Sequence, residues 1–147
     1  MRLALYQPDI AQNTATIIRL GVCMGVCIDI IEPCGFQFTD KGFKRAGMDY
    51  LDMAEVTRHA SWEAFRPPGR LVLLTTRVDR AYADFAFEPS DTLLFGRESA
   101  GVPDEVHASA DARLCIPMRS GLRSINVALA AAMVLGEALR QTDGFPT

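Results

Sequence analysis

The sequence predicts an α/β fold built on a parallel β-sheet. Short apolar runs alternate with helical stretches, and strand, helix and strand follow one another within about thirty residues near the N-terminus. These runs also lack the alternation of apolar and polar residues that is typical of strands with one face in water. With 147 residues, 49% of them hydrophobic and 22% charged, the chain can build one core and is short for two. We therefore expect a single domain over residues 1–147.

The N-terminal half begins with a βαβ unit. Leu3–Tyr6 is an apolar run that ends at a polar, proline-containing loop, which predicts a strand. Asn13 can cap a helix that ends at Gly25, and Val26–Ile31 predicts the second strand. The segments that follow are predicted to be a short basic helix over Asp40–Gly47, a short strand within Asp49–Val56, and a helix over Ser61–Phe65 that Ser61 caps.

The C-terminal half supplies three more strands and a long helix. Arg70–Thr76 and Asp91–Phe95 are predominantly apolar, which is typical of strands covered on both faces. Asp104 is expected to cap a short helix that runs to about Ser109, and Ala112–Ile116 predicts the strand that follows it. Ser124–Arg140 predicts the last helix and is apolar almost all round. Because a helix without a clear polar face must be covered on more than one side, we expect a symmetric homodimer that buries the second side.

Composition restricts the possible functions. The formal net charge of -3 argues against coating nucleic acid by bulk attraction, although it permits a local basic patch. Most of the fifteen basic residues are arginine, which favours a phosphate-bearing partner as much as it reflects ordinary surface usage. No window approaches the roughly 18 continuous apolar residues of a membrane span. We therefore expect a cytoplasmic protein that does not enter the membrane.

The cysteines give no sign of a metal site. The four cysteines form no Cys-x-x-Cys pair, and the two histidines lie far from them in the sequence. We expect buried free thiols, with neither zinc nor a disulfide framework.

Three predicted strand ends carry polar or glycine-rich segments. Cys115–Val127 leaves a strand at Pro117 and enters a helix through Ser124, which places backbone N–H groups, a hydroxyl and a carboxamide around one hollow. The turn Gly96–Gly101 matches neither a Walker loop nor a dinucleotide fingerprint. Ligands of parallel sheets bind beyond the carboxyl ends of strands, so we expect these two segments and Leu74-Thr75-Thr76 to form one site.

The residues at these ends also limit the chemistry. No cysteine or histidine pair supplies a nucleophile with its base, and no carboxylate cluster supplies a metal site. We therefore expect transfer of a group carried by a bound cofactor, with the protein positioning the substrate and stabilising charge.

Three ordered motifs are distributed along the chain. The first contains Asn13, Arg19 and Gly25; the second is Phe95-Gly96-x-Glu98-x-x-Gly101-Val102-Pro103; the third joins Ile116-Pro117-Met118 to Arg123-Ser124-Ile125-Asn126. In this order they resemble the motifs of the SPOUT superfamily of S-adenosylmethionine-dependent RNA 2'-O-methyltransferases. Two further segments, Ile31-Glu32-Pro33-x-Gly35-Phe36 and Arg45-Ala46-Gly47-Met48-Asp49-Tyr50, resemble the small branch that methylates the ribose of tRNA wobble nucleotide 34, cytidine or uridine.

The resemblance implies a fold, a cofactor and partners. The C-terminal segment is expected to form a deep trefoil knot that holds S-adenosylmethionine, in a homodimer that acts on tRNA, with tRNA-Leu the expected substrate. By motif position, the residues expected to contact the cofactor are Leu74, Thr75, Gly96, Gly101, Ile116, Met118 and Ser124. The expected phosphate-facing patch contains Lys41, Lys44, Arg45, Arg119 and Arg123.

The resemblance also implies catalytic residues, which are Arg19, Glu98, Ser124, Asn126 and Asn13. The family proposal makes Arg19 the proton acceptor, but a free guanidinium stays protonated and has no acceptor atom. We expect Arg19 to be essential and hypothesise that it holds the adjacent phosphate or stabilises the developing alkoxide. Glu98, Ser124 and Asn126 would orient Arg19 and the substrate, whereas Asn13 would shape the loop.

Two alternatives remain open at the level of the sequence. One is the same reaction on another RNA site, which the lack of an appended RNA-binding domain disfavours without deciding the nucleotide. The other is an RNA-binding protein that kept the fold and lost catalysis. The joint presence of Arg19, Glu98, Ser124 and Asn126 speaks against this second alternative.

Overall fold

Six parallel strands form the centre of the structure, a computed structural model that describes residues 1–39 and 41–147. The strands of the described residues are β1 (Arg2–Tyr6), β2 (Cys27–Ile31), β3 (Val56–His59), β4 (Leu71–Leu74), β5 (Thr92–Phe95) and β6 (Ala112–Leu114). The helices are α1 (Ala11–Met24), α2 (Lys41–Gly47), α3 (Asp104–Ser109) and α4 (Val127–Gln141), and 3-10 helices span Met48–Met53 and Tyr82–Asp84. The spatial order of the strands is β3-β2-β1-β5-β4-β6. This confirms the predicted α/β fold and its parallel sheet.

Both faces of the sheet are covered by apolar side chains. On one face, α1 and α4 pack against alternate strand residues such as Leu3 and Leu93. On the other face, a smaller cluster that includes Phe65 and Val106 covers Leu94. Successive side chains of a strand point to opposite faces, so a sheet covered twice requires strands that are apolar throughout.

The direction in which strands are added changes between β1 and β5. From β1 the chain adds β2 and β3 on one side, whereas β5, β4 and β6 lie on the other side. Leu5 of β1 pairs with Phe95 of β5, so these two strands end at the same level. Such a point of reversal creates a crevice at the carboxyl edge of a sheet, and the loops formed by residues 7–10 and 96–101 leave the sheet there.

Both long helices begin at residues other than those predicted. Helix α1 begins at Ala11, so Asn13 lies inside its first turn and is not the cap; Gly25 ends the helix with a φ of 65°, as predicted. Helix α4 begins at Val127, and its cap is Asn126 rather than Ser124. The Asn126 side-chain oxygen accepts hydrogen bonds from the backbone N–H groups of Ala128 and Leu129. The cap thus lies two residues later because the segment before it belongs to the site loop.

The region between β2 and β4 differs most from the prediction. A 3-10 helix occupies Met48–Met53, where a strand was expected, and β3 begins only at Val56. No helix forms over residues 61–65; a single turn closes where the Ala64 N–H donates to Ser61 Oγ at 3.3 Å. The prolines that follow leave too little chain for a second turn. Helix α2 agrees with the prediction over Lys41–Gly47, and the predicted first residue, Asp40, lies outside the described residues.

Two further expectations were wrong in detail. Asp104 is the first residue of α3 and not its cap, and its carboxylate instead pairs with Arg77 at 2.7 Å. The cysteines are free, but Cys23 is exposed and the other three are half-buried, so they are not the buried thiols expected.

Among the described residues, no helix is long and apolar enough to cross a membrane, and no group of three or more His, Cys, Asp or Glu could hold a metal ion.

Helix α4 has one covered face and one open face. Ala131, Val134 and Leu135 are buried against the sheet. On the opposite side Leu129 and Met133 remain 61% and 44% exposed. The apolar pattern of this helix is therefore only half explained by contacts within one chain.

Candidate active site

A cavity of about 690 Å3 lies at the carboxyl ends of β4 and β5. It is lined by residues 73–77, 95–102 and 123–127, together with Ile10, Asn13, Ile116, Met118 and Ala130. This volume falls within the range of cavities that hold small molecules. The three strand ends singled out in the sequence therefore do meet around one hollow.

The seven residues that the resemblance assigns to the cofactor all line this cavity. They are Leu74, Thr75, Gly96, Gly101, Ile116, Met118 and Ser124. Apolar side chains of Leu73, Phe95 and Val102 form part of the same wall. Apolar walls combined with backbone groups at strand ends suit a ligand that has a flat apolar part and several polar atoms.

The turn between Gly96 and Gly101 is tight for steric reasons. A side chain at Gly96 would place its Cβ 2.6 Å from the backbone carbon of Gly101. Arg97 and Gly101 exchange two backbone hydrogen bonds, of 3.0 and 2.9 Å, and Gly101 has a φ of 64°. Because of this closure the loop is narrow, and Glu98 at its tip faces the first turn of α1.

A chain of hydrogen bonds connects one residue from each of the three motifs. The Asn13 amide nitrogen donates to Glu98 Oε1 at 3.4 Å, and the Asn126 amide nitrogen donates to Asn13 Oδ1 at 3.0 Å. Asn126 Oδ1 in turn accepts from the first N–H groups of α4. The chain fixes the orientation of both amides, because turning either one would place two acceptors or two donors against each other.

Asp9 belongs to this network, although it was not among the residues expected at the site. Its backbone N–H donates to Glu98 Oε2 at 3.0 Å, and the Glu98 N–H donates to Asp9 Oδ1 at 3.2 Å. The Ser99 hydroxyl donates to the other Asp9 oxygen, and Arg97 Nε lies 3.7 Å from it. The available signal was position: Asp9 follows the central strand β1, whose carboxyl end borders the crevice.

The two carboxylates of this pair titrate differently. The hydrogen-bonded pairing with Glu98, with further help from Ser99 and Arg97, holds the pKa of Asp9 below its usual range. Burial, followed by the pairing with Asp9, raises the pKa of Glu98. Glu98 is therefore the more readily protonated member of the pair.

Arg19 is not brought to this cavity. Its side chain is exposed on α1, and its guanidinium carbon lies 4.8 Å from the centre of the Tyr50 ring. Arg19 does not belong to the cavity lining, whereas Asn13, Glu98, Ser124 and Asn126 do. Four of the five expected catalytic residues thus share one cavity, and the fifth lies six residues from Asn13, about 9 Å along the axis of α1.

The expected phosphate-facing residues fall into two groups. Lys41, Lys44 and Arg45 are exposed on α2, which packs against α1. Arg119 and Arg123 are exposed on the loop before α4, and Arg123 also lines the cavity. The expected phosphate-facing residues therefore lie on two separate elements of the chain, α2 and the loop before α4.

Residues 1–136 match the SpoU rRNA Methylase family. The chain belongs to this family of methyltransferases. It is 60% identical over 150 aligned positions to a tRNA (cytidine(34)-2'-O)-methyltransferase of Ancylobacter novellus, covering 99% of this chain and 95% of that protein. It is 39% identical to the protein of the same name in Escherichia coli, covering 99% and 96% of the two chains.

Solved structures agree with this assignment. The fold superimposes with a TM-score of 0.90, at 38% identity over 95% of this chain and 94% of the other, on a structure that describes 2-OH methylation of C/U34 on tRNA. A second structure is the SpoU methyltransferase AviRb from Streptomyces viridochromogenes in complex with the cofactor AdoMet. It has a TM-score of 0.85 and 26% identity over 96% of this chain, which spans 60% of that longer protein.

Proposed function

We propose that this protein transfers a methyl group from S-adenosylmethionine to the ribose 2'-hydroxyl of tRNA wobble nucleotide 34, cytidine or uridine, with tRNA-Leu as the expected substrate. The observation that carries the proposal is the cavity in which Glu98, Asn13 and Asn126 are joined by hydrogen bonds. This cavity lies in a chain that is 60% identical to a tRNA (cytidine(34)-2'-O)-methyltransferase. Residues 1–147 act as one domain in this proposal.

The cofactor fits the cavity by volume and by the chemistry of its walls. S-adenosylmethionine, when bound, supplies a methyl group on a positively charged sulfur. The residues that would hold it are the seven that line the cavity at the expected motif positions, largely through their backbone groups. Residue 96 must be glycine for the turn to close in this way, because a side chain there would collide with the backbone of Gly101 and displace this wall of the cavity.

The hydrogen-bonded residues would position the ribose. Methyl transfer requires the 2'-hydroxyl oxygen to lie in line with the methyl group and its bond to sulfur. A residue that misplaces the ribose therefore lowers the rate of transfer. Glu98 fixes Asn13, and Asn126 is fixed by α4, so the site wall is oriented before RNA arrives. Ser124 offers a hydroxyl at the same wall.

Arg19 would act on charge and not as a base. A guanidinium keeps its proton, so its roles are to bind the adjacent phosphate or to stabilise the alkoxide as it develops. Arg19 lies outside the cavity of its own chain. In this proposal Arg19 therefore reaches the reacting ribose either when RNA binds or from a second copy of the chain, whose Arg19 would face this cavity. Lys41, Lys44, Arg45, Arg119 and Arg123 would contact phosphates around the site.

Three finer features complete the proposal. The exposed Leu129 and Met133 of α4 support a homodimer, since a second copy would remove them from water. The family resemblance supports a trefoil knot in the C-terminal segment that carries residues 116–126. The tRNA substrate supports a cytoplasmic location.

The experiment is nucleoside mass spectrometry of unmodified bulk tRNA after incubation with the protein and S-adenosylmethionine. We expect new 2'-O-methylcytidine or 2'-O-methyluridine with the wild-type protein and none with Arg19→Ala. Arg66→Ala is the matched control, because Arg66 is also exposed but donates only to nearby backbone carbonyls. Activity of Arg19→Ala equal to that of the control would exclude the role given to Arg19.

Cofactor binding is measured separately on the same samples. S-adenosylhomocysteine should raise the melting temperature of the wild-type protein and of both variants by mass action. A raised melting temperature without methylated ribose would exclude unmodified tRNA as the substrate and direct the test to other RNA. A flat melting temperature at saturating ligand would contradict the enzyme assignment itself.

A further inference from the structure

A second cavity, of about 480 Å3, lies at the carboxyl ends of β2 and β3. Residues 32–34 and 36–39, with Arg58 and Ala60, line this second cavity. Among the described residues, the second cavity shares no lining residue with the cavity of about 690 Å3 proposed above to hold the cofactor, here called the cofactor cavity. None of the residues assigned above to cofactor or RNA lines the second cavity. Four of its lining residues, Glu32, Pro33, Cys34 and Phe36, belong to the segment Ile31–Phe36, which the sequence analysis singled out and the proposed mechanism does not use.

A guanidinium stacked on an aromatic ring dominates the second cavity. The guanidinium carbon of Arg58 lies 4.2 Å from the centre of the Phe38 ring, and Arg58 also pairs with Glu32. The Phe38 ring packs against Phe43 and Phe36 with centroid distances of 4.9 and 5.5 Å. The side chain of Arg58 nevertheless remains 50% exposed. The cavity thus contains a planar group that packs on a cluster of aromatic rings and remains open to a ligand.

The charges of this cavity favour a neutral, flat ligand. The Glu32 carboxylate neutralises Arg58 and would repel a phosphate, so the pair does not suit a simple anion. A flat neutral ring can stack on a guanidinium face, and the pair offers both hydrogen-bond donors and acceptors at its edge. Nucleobases splayed out of single-stranded RNA are bound in this manner.

The cavity has the character of a binding site and not of a second reaction centre. Burial raises the pKa of Cys34 to about 11, so its thiol stays protonated near neutral pH. It therefore offers a neutral, polarizable wall and no thiolate nucleophile.

The second cavity is joined to the cofactor cavity by a short series of contacts. The Gly35 N–H donates to the Pro8 carbonyl at 2.9 Å, and a side chain at Gly35 would place its Cβ 2.8 Å from Asp9 Cβ. Asp9 in turn donates through its N–H to Glu98, which lines the cofactor cavity. The two cavities therefore lie on either side of the loop that follows β1, at the same edge of the sheet.

We propose that the second cavity binds a nucleobase of the substrate RNA next to the nucleotide whose ribose is methylated, with the base stacked on Arg58. The inference rests on the proposed function and adds a specificity site to it. A base bound there fixes the RNA strand relative to the cofactor cavity while making no contact with the reacting atoms.

The test compares Arg58→Ala and Arg58→Lys with the wild-type protein in methyl transfer to tRNA transcripts. We expect KM for the RNA to rise about tenfold in both variants, because one base stack is lost and lysine cannot replace a planar group. KM for S-adenosylmethionine and the S-adenosylhomocysteine-induced rise in melting temperature should not change. Arg80→Ala is the matched control, since Arg80 also lies over a phenylalanine, Phe85, at 4.9 Å, and its carbonyl accepts from Cys115 beside β6, the edge strand opposite β3.

A double-mutant cycle identifies the ligand. Transcripts that lack the base 5' or 3' of nucleotide 34 are paired with the wild-type protein and with Arg58→Lys. For one of the two transcripts, the missing base should raise KM of the wild-type protein by about the same factor as Arg58→Lys raises KM for intact RNA. The same missing base should raise KM of the Arg58→Lys variant little further, because the stack it would remove is already lost.

The outcomes separate this inference from the proposed function. Unchanged KM for RNA in both Arg58 variants, or additive losses with both transcripts, would overturn the nucleobase site while leaving methylation intact. Absence of methylated ribose with the wild-type protein would instead overturn the proposed function. A change in KM for S-adenosylmethionine equal to that for RNA would show that Arg58 supports the fold of the cofactor cavity and binds no base.

Discussion

Asp9 and Glu98 hold each other through two reciprocal hydrogen bonds, in which the backbone N–H of each donates to the carboxylate of the other at 3.0 and 3.2 Å. This pair joins the loop after β1 to the glycine turn after β5, across the point where the strand order reverses. The same Glu98 accepts from Asn13 of α1. The position of the glycine turn is therefore set by side chains from the first motif as well as by its own backbone.

The charge on Asp9 should make stability depend on pH. Folding lowers the pKa of Asp9, so its contribution is fully present above the ordinary aspartate pKa, near 4, and is lost as pH falls through the folded-state value. We expect Asp9→Asn to lower the free energy of unfolding above the ordinary aspartate pKa and to lower it by less below about pH 4. Urea unfolding at each pH measures this difference, with Asp52→Asn, at an exposed position, as the control. A difference that grows toward acid would reverse the assigned direction.

Asn126 should have two separable roles. Asn126→Asp keeps a side-chain oxygen at the cap of α4 but loses the N–H donor to Asn13. If the Asn13 amide turned round to restore this bond, its oxygen would face the Glu98 carboxylate and the bond to Glu98 would be lost. We expect this variant to melt close to the wild type and to lose methyl-transfer activity. Asn126→Ala should lose the activity and, in addition, about 1 kcal/mol of stability. Equal melting temperatures for Asp and Ala variants would contradict the capping role.

Gly96→Ala should impair cofactor binding. The added methyl group would lie 2.6 Å from the backbone of Gly101, so the turn must open. We expect a smaller rise in melting temperature with S-adenosylhomocysteine than in the wild-type protein. The control is Gly136→Ala in α4, where an added Cβ meets nothing within 4 Å. Because Gly136 lies two turns after Leu129 on the open face of α4, any effect of this substitution should be on the dimer, and the ligand response should stay intact.

The open face of α4 should control the oligomeric state. Combining Leu129→Glu with Met133→Glu places two charges on this face, and burying them without partners is costly. We expect the wild-type protein to sediment as a dimer and the double variant as a monomer. Ala108→Glu, on an exposed position of α3, should leave the dimer unchanged. A monomeric wild-type protein would remove the support that α4 gives to the homodimer.

The local pattern of apolar and polar residues correctly predicted the elements that are long or apolar throughout. It failed where contacts with distant residues determine the backbone conformation or the partner of a side chain. The apolar strands and the left-handed end of α1 at Gly25 follow from the sequence. Asn13 and Ser124 have the residue types of helix caps, but Asn13 is engaged by Glu98 and Asn126 instead, and Ser124 lies in the site loop. The segment Met48–Met53 forms a 3-10 helix because its packing on α1 outweighs its weak strand pattern.

Sequence alone determined the α/β class and predicted that three strand ends meet around one hollow, because apolar runs and the polar segments that follow them are local properties of the chain. Only the tertiary structure decided which polar groups meet: Asp9 with Glu98, Asn13 with Asn126, Gly35 with the loop after β1. It also placed Arg58 over Phe38 and left Arg19 outside the cavity. Hydrogen bonds and stacking act over a few ångströms between residues far apart in the chain, so their partners are fixed only once the sheet is assembled.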